Sequence, residues 1–487
     1  MKKPFLVIIY LLCIPLSYCQ PDINRESNCF TIIVGKNASV DGSVFVAHNE
    51  DDPGELIVDL HKVPRDSFYN KIKINDTTFI KSNNQNSYLW IEVPGQNFAD
   101  GFMNEFGVTI CSNQALSKEK DEVGIIGYFL RKTLAIEARS AREAVKIAGK
   151  LIEKYGYSYS GRDYTIADPN EAWIIEIVKG KHWIAKRLPD DEIAIVPNYY
   201  TITEVNLLDT ANYLGSSDLI DYAIKRDWNN PQNFQNFNFR IAYGNPETIN
   251  SELNIARKWV CLNYFSKQKY DFNANFPFSF KPKSKVGLKD LMYILKNHYE
   301  GTKFETGPGY MKGNPHKNDL MRICSEMNLY SFVIQLRNWL PNDIGYVLWF
   351  APRRPCIQPF IPLYFGITAF PSSFEKESYK NAESDHFKKD QDFKKSFPNQ
   401  ASLVFYDYAE MIDKNYGLKI NNIKKYKDSI QKILFNNQTV FEQNVLEVYK
   451  KDKEKARSLL TEYSSKYANL ILADTKQKLI DYKSKQK

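Results

Sequence analysis

The residues that invite chemistry sit at the two ends of one short segment. Cys29 heads the run Phe30-Thr31-Ile32-Ile33-Val34, and His48-Asn49-Glu50-Asp51 closes the run Ser43-Val44-Phe45-Val46-Ala47. Both runs are rich in β-branched and aromatic residues. Lys36-Asn37-Ala38-Ser39-Val40-Asp41-Gly42 between them is a polar turn, so the segment reads as strand, turn, strand. With the turn centred near Ser39, residue 29 falls opposite residue 49. Cys29, Asn49 and Asp51 then gather at one end of a sheet, a thiol beside an amide and a carboxylate. That set fits an active site built on a nucleophile. The plain alternative is a buried cysteine at the start of an ordinary hairpin.

The residues ahead of Cys29 sharpen this reading. Gln20 to Asn28 is polar, without apolar periodicity, and its simplest role is a pro-segment. A cut between Asn28 and Cys29 makes Cys29 the first residue of the mature chain. Its α-amine, with a pKa of about 8, is partly neutral at working pH. It can take the proton of its own thiol or pass one to a leaving amine. One residue then supplies nucleophile and base, with no distant histidine.

Residues 1–19 read as a secretory signal. Lys2 and Lys3 give a positive start, and Phe5 to Leu16 is an apolar stretch too short and wrongly flanked to span a membrane. Ser17-Tyr18-Cys19 permits cleavage before Gln20. Leu16-Ser17-Tyr18-Cys19 also resembles a lipoprotein box that would anchor Cys19, although the bulky Tyr18 argues against it. The expected location is secreted or periplasmic, with a lipid anchor at Cys19 as the alternative. No later segment is long and apolar enough to cross a bilayer.

The chain of 487 residues, less this leader, suffices for one large core with an appended part. Hydrophobic residues make up 43% and charged residues 25%, as in ordinary globular proteins. The 31 Tyr and 30 Phe serve a broad core or binding clefts. The net charge of +8 is spread over many lysines with no aromatic-interleaved basic motif, which argues against a nucleic-acid partner. Beyond Cys13 and Cys19 in the signal, Cys29, Cys111, Cys261, Cys324 and Cys356 remain, an odd set that leaves at least one outside any internal disulfide. Their spacings are wide, the six His are scattered, and zinc is not expected.

The elements that must hold the site follow in order. Glu55 to Pro64 and Tyr88 to Val93 read as strands, and Asp100 to Asn113 as two extended pieces around a turn carrying Asn104, whose plain reading is a turn-forming residue. Helices are expected over 123–138 and 141–155, the second opened by Ser140 and Glu143 as a capping box. Tyr164 to Arg187 reads as an antiparallel meander, and Ile193 to Asn198 as a strand ending in an amide. Leu288 to Lys296 looks helical, Gly301 to Pro315 is a loop near a substrate mouth, and Ser331 to Leu336 and Tyr346 to Phe350 are core strands. After Phe374 the composition turns to Lys, Asp, Glu and Ser, with helical spacing at Phe441, Val445, Val448 and at Leu459, Tyr463, Tyr467, Leu470. This part packs on the core or mediates subunit contacts.

Several stretches together resemble a known family. They are Cys29 to Asp51, the Gly101 to Gly107 turn, Ala138 to Ala144, Ile166 to Trp173, Arg187 to Asp191, His298 to Thr302, Tyr330-Ser331-Phe332 and Trp339-Leu340-Pro341. In this order they resemble the N-terminal-nucleophile cysteine dipeptidases of the dipeptidase A type, related to secernins, and more distantly the penicillin V acylases and bile salt hydrolases. The resemblance implies an α+β protein, an Ntn-hydrolase αββα four-layer sandwich over 29–374; composition and spacing beyond it read as a mostly helical extension over 375–487. The resemblance also implies autocatalytic exposure of Cys29, hydrolysis of dipeptides through an acyl-enzyme, and no cofactor; a homo-oligomer is expected. By position Cys29 looks like the nucleophile, and Asp51 like the acid that orients the α-amine. Asn104 and Asn198 look like amides that position substrate or stabilise the oxyanion. His48, Asn49 and Asn113 are candidates for substrate binding. His48 stands where many relatives carry Arg, and would act on the thiol only while protonated; strand packing is the other reading. Arg257 and Trp259 read as helix packing, and Cys111, Cys261, Cys324 and Cys356 as buried fillers. The alternative function is an amidase acting on N-acyl substrates such as penicillin V or conjugated bile acids. A binding protein on the same fold is the non-enzymatic reading.

Overall fold

β1 (Phe30–Val34) and β2 (Val44–Asp51) form the expected hairpin, and every residue of both is buried. Strands buried along their whole length have both faces covered, and these two lie at the centre of a layered molecule. In this computed structural model the described residues run from 29 to 484, apart from 53–55, 66–70, 76, 83, 97, 230–236, 306–313, 317–321 and 389–398. The signal, Cys19, the 20–28 pro-segment and the middle of the Gly301 to Pro315 loop lie outside the described residues.

One antiparallel sheet has seven strands in the order β14 (Ser279–Phe280), β12 (Ile193–Val196), β1, β2, β15 (Asn328–Leu336), β16 (Tyr346–Pro352) and β17 (Ile361–Tyr364). A second has eight, in the order β13 (Tyr213–Gly215), β11 (Trp183–Arg187), β10 (Ala172–Gly180), β9 (Tyr157–Ala167), β8 (Thr109–Gln114), β7 (Gly101–Asn104), β6 (Tyr88–Glu92) and β3 (Asp59–Val63). β4 (Lys71–Lys73) and β5 (Phe79–Lys81) pair apart from both. The two large sheets face each other, and a bond from Thr31 on β1 to Asn113 on β8 (2.7 Å) crosses between them. α1 (Phe129–Glu137) and α2 (Ala141–Tyr155) cover the outer face of the eight-stranded sheet. The helices Glu252–Phe265 and Leu288–Leu295 cover the seven-stranded one, against β12 and against β2 and β15. The result is helix, sheet, sheet, helix, the αββα layering expected.

Local rules explain most element ends. Ser140 accepts the amide of Glu143 (3.1 Å) and starts α2, while Glu143 reaches back to the amide of Arg139 (2.7 Å). Gly156, with φ +69°, ends it. α1 starts at Phe129 and not at 123, because residues 125 and 126 pair with the chain at 156–158. A Cβ on Gly124 would lie 2.3 Å from the backbone of Tyr157, an approach that only glycine allows.

Beyond Phe374 the chain is helical over Tyr379–Asp385, Ala401–Asp413, Tyr416–Tyr449 and Lys453–Ser484. The last two helices pack on the seven-stranded sheet. Arg337 at the end of β15 makes a bidentate pair with Glu442 (2.6 and 2.8 Å), and Tyr364 adds its hydroxyl (2.9 Å). Ser464 donates to the carbonyl of Pro362 (3.0 Å).

Candidate active site

The register of the first hairpin differs by one residue from the expectation. Phe30 pairs with Asn49 and Thr31 with His48, so residue 29 lies across from Glu50 and not from Asn49. The loop joins Val34 to Phe45 and is centred between Ser39 and Val40, half a residue beyond Ser39. A one-residue change of register turns every side chain to the other face. Cys29, Thr31, His48 and Glu50 therefore share the face toward the second sheet. Asn49 points the other way, donating to the carbonyls of Leu295 (2.9 Å) and Ile323 (2.6 Å).

The shared face carries a continuous network. The Cys29 thiol donates to Glu50 Oε1 (2.8 Å), and Glu50 Oε2 faces His48 Nε2 (3.1 Å) and the hydroxyl of Tyr330 (3.1 Å). His48 Nδ1 faces Thr31 Oγ1 (2.8 Å), which donates to Asn113 Oδ1 (2.7 Å). The amide nitrogen of Asn113 donates to the carbonyls of Cys29 (2.9 Å) and Val196 (3.0 Å). Asn113 is thereby fixed with its oxygen toward Thr31, and the one proton of Thr31 goes to that oxygen. Thr31 can only accept from His48 Nδ1, and Glu50 can only accept from His48 Nε2. A histidine that donates from both nitrogens is an imidazolium. Burial alone would lower His48, but Cys111 and Glu50 beside it hold it up at about 10. His48 is thus the protonated partner of Glu50, and its ring also stacks on Phe332 with centroids 5.2 Å apart.

Glu50 and Cys29 are tuned in opposite directions. Burial would raise Glu50, but hydrogen bonds from His48 and Cys29 bring it below the usual carboxylate range. Burial, with Glu50 and Asp52 nearby, pushes the Cys29 thiol well up. Cys29 is fully buried and neutral, with a carboxylate acceptor already on its proton.

On the other side of Cys29 lie Asp51, Asn198 and Arg257. Arg257, on the helix Glu252–Phe265, approaches the carbonyl of Cys29 (3.5 Å) and donates to Asn198 Oδ1 (2.7 Å) and Asn254 Oδ1 (2.6 Å). It is more than helix packing. Asp51 bonds Asn328 through Oδ1, while its buried Oδ2 has no donor among the described residues. Burial raises the Asp51 carboxyl well above its ordinary value, and the charge of Arg257 opposes that.

Asn104 is not brought to this site. Its amide nitrogen donates to the carbonyls of Ala135 (2.9 Å) and Ala138 (2.7 Å) at the end of α1, and its oxygen accepts the amides of Phe106 (2.9 Å) and Val108 (3.0 Å). Gly107, with φ +76°, completes the turn, and a Cβ there would lie 2.9 Å from Pro169 Cδ. The hydrogen-bonding capacity of Asn104 is spent on joining β7 to the helical layer. Glu50 and Arg257 are the site residues that sequence reasoning passed over. A turn centre placed half a residue later would have put Glu50 beside Cys29; nothing local marks Arg257.

Three groups of described side chains bring metal-ligating atoms within 4.8 Å of one another: Cys29, His48 and Glu50; Asp59, His61 and Glu92; and His298, His316, Cys324 and Cys356. In the first, a proton already occupies each short contact. A cleft lined by Val63, Ile72, Phe79, Tyr88, Phe129 and Lys132 opens elsewhere and does not include Cys29. No helix of the described residues is long and apolar enough to cross a membrane.

A thiol that donates to a carboxylate, beside fixed amides and a buried guanidinium, suits acyl transfer. The chain is 28% identical over 383 residues to a probable dipeptidase of Latilactobacillus sakei, which covers 73% of this chain and 79% of that protein. It is 28% identical over 382 residues to dipeptidase A of Lactobacillus helveticus, covering 72% and 78%. A solved penicillin V acylase from Agrobacterium tumefaciens is similar over 66% of this chain and 86% of its own, at 12% identity and a TM-score of 0.30, a likeness too slight to carry an argument. Residues 28–415 match Peptidase family C69, a span that starts one residue before Cys29 and takes in the whole network around it, and the chain belongs to that family.

Proposed function

We propose that this protein is a dipeptidase whose nucleophile is Cys29, made competent by removal of the residues before it. One observation carries the reading: the Cys29 thiol is hydrogen-bonded to Glu50 while Asn113 and Arg257 hold the carbonyl of the same residue. The relatives named dipeptidase support the substrate class.

In maturation, Sγ of Cys29 attacks the carbonyl carbon of Asn28 and Glu50 takes the thiol proton. The C–N bond to Cys29 breaks as its nitrogen is protonated, and water hydrolyses the resulting thioester. Asp51, whose Oδ2 lacks a donor among the described residues, is the carboxylate assigned to the new α-amine. It orients the amine. In turnover the amine accepts the thiol proton, Sγ attacks the peptide carbonyl, and the amine returns the proton to the departing amino acid. Water then cleaves the acyl-enzyme. Asn198, held through its oxygen by Arg257, is the amide assigned to position substrate or stabilise the oxyanion. One such donor lowers the barrier by about 3 kcal/mol. His48 keeps Glu50 ionised, and Asn113 fixes the position of Cys29. The leader makes the enzyme secreted or periplasmic.

The test joins intact-mass spectrometry to assays on a dipeptide panel, with penicillin V and a glycine-conjugated bile acid in parallel. Wild type is expected to begin at Cys29 and to hydrolyse dipeptides. Cys29→Ala is expected to keep residues 20–28 and to lose activity. Full activity with those residues attached, activity in Cys29→Ala, or turnover of the N-acyl substrates alone overturns the reading.

A further inference from the structure

Away from Cys29, the fold gathers four side chains from separate segments. His298 follows the helix Leu288–Leu295, His316 lies in the next loop, Cys324 stands just before β15, and Cys356 lies between β16 and β17. All four are buried, and one ligating atom from each lies within 4.8 Å of the others. His316 Nε2 is 3.2 Å from His298 Nε2 and 3.2 Å from Cys356 Sγ. A tetrahedral zinc site with arms of ~2.0–2.3 Å has ligand-to-ligand edges of ~3.3–3.8 Å. The observed contacts have that size.

The outer nitrogens carry the stronger argument. His298 Nδ1 faces Glu300 Oε1 (3.0 Å), and His316 Nδ1 faces Asp413 Oδ1 (2.9 Å). A carboxylate accepts only, so each Nδ1 carries a proton, and in a neutral imidazole Nε2 is then a lone pair. Two such lone pairs face each other at 3.2 Å beside two sulfurs, away from water. They repel unless a proton or a metal ion lies between them, and the two sulfurs beside them suit the metal ion. A carboxylate behind each histidine is the usual means of fixing the tautomer of a metal ligand. Arg354 in turn holds Asp413 through its other oxygen.

We propose that His298 Nε2, His316 Nε2, Cys324 Sγ and Cys356 Sγ bind one zinc ion in a closed, structural site. Two thiolates with two imidazoles suit zinc over the hard, oxygen-seeking cations. With four protein ligands the site has no open position for substrate, and its role is to staple chain segments. The staple matters to the active site because its segments form the far wall of β2. The carbonyl of Ile323, next to Cys324, accepts Asn49 of β2 (2.6 Å). Tyr299, between His298 and Glu300, is held at φ +69°, a conformation that a bulky residue adopts only when its surroundings impose it. Asp413 extends the staple to the helix Ala401–Asp413.

The experiment measures zinc by mass spectrometry of full-length protein purified without chelator, together with a thiol count and non-reduced peptide mapping. One zinc per chain is expected in wild type and in Cys261→Ser, which changes a buried cysteine outside the group. At least a tenfold loss is expected in Cys356→Ser and in His316→Ala. Because these variants can fail to fold, wild-type protein is also exchanged with Co²⁺, where thiolate-to-cobalt charge transfer and intense tetrahedral bands are expected. Wild type that lacks zinc and takes up neither Zn²⁺ nor Co²⁺ overturns the proposal. So do a Cys324–Cys356 disulfide, and zinc that persists in both ligand variants.

Discussion

Glu50→Gln tests the network at the point where the structure is most explicit. Glu50 Oε1 lies 2.8 Å from Cys29 Sγ. Were thiolate and carboxylate both charged there, they would repel by about 6 kcal/mol at an effective dielectric near 20. The thiol therefore does not ionise and then react; its proton passes to Glu50 as sulfur attacks. Glutamine keeps the size and one acceptor oxygen but takes no proton. Loss of a positioned general base slows a reaction by roughly 10²–10⁴-fold, or about 3–5 kcal/mol of barrier. The thiol pKa moves the other way, since Glu50 is among the groups that raise it. Glu50→Gln thus matures slowly although its thiol is the more acidic one. The assay follows purified precursor by intact mass over time, alongside wild type and Cys29→Ala. Maturation of Glu50→Gln at the wild-type rate would refute the assignment. Equal maturation of Cys29→Ala would show that another protease makes the cut.

Asn104→Ala is expected to cost about 2–4 kcal/mol in denaturant unfolding, because two helix-end carbonyls and two turn amides lose their partner. The kcat of the folded protein should stay within about twofold, where an oxyanion role would lower it by about 10²-fold or more. His386 is buried beside Glu92 (2.9 Å) and Asp100 (3.4 Å). Burial would lower it, but Asp100 and Glu92 raise it to about 9. Its stabilisation is whole below the ordinary histidine value of about 6.5 and fades as pH rises to about 9. His386→Gln should therefore lose on the order of 3 kcal/mol at pH 6 and little above pH 9, and an equal loss at both would contradict this. Arg337→Met leaves Glu442 as a buried unpaired charge and should cost about 3–5 kcal/mol in thermal unfolding, while adding Glu442→Leu should restore most of it.

Much of the scaffold was legible because it rests on short-range rules. A β-branched run, a polar turn and a second run make a hairpin wherever they lie, and Ser140 with Glu143 starts α2 where the pattern places it. Cys29 at the head of the first strand was legible for the same reason. The partners of Cys29 were not. Whether Asp51 or Glu50 meets the thiol depends on half a residue in the centre of a turn, and hydrogen bonds to β12 and β15 on either side lock that register. Asn104 and Asn113 are alike in the sequence. Only the closing of the second sheet sends one to the helices and the other to Cys29. Arg257 reaches the site from a helix more than two hundred residues away in the chain. His298, His316, Cys324 and Cys356 meet only because the connection from the helix Leu288–Leu295 to β15 converges with the one between β16 and β17. Local pattern determined which segments are strands and helices and marked Cys29. Tertiary structure decided which side chains share a face, because side-chain direction follows from register and from contacts that no short window of sequence contains.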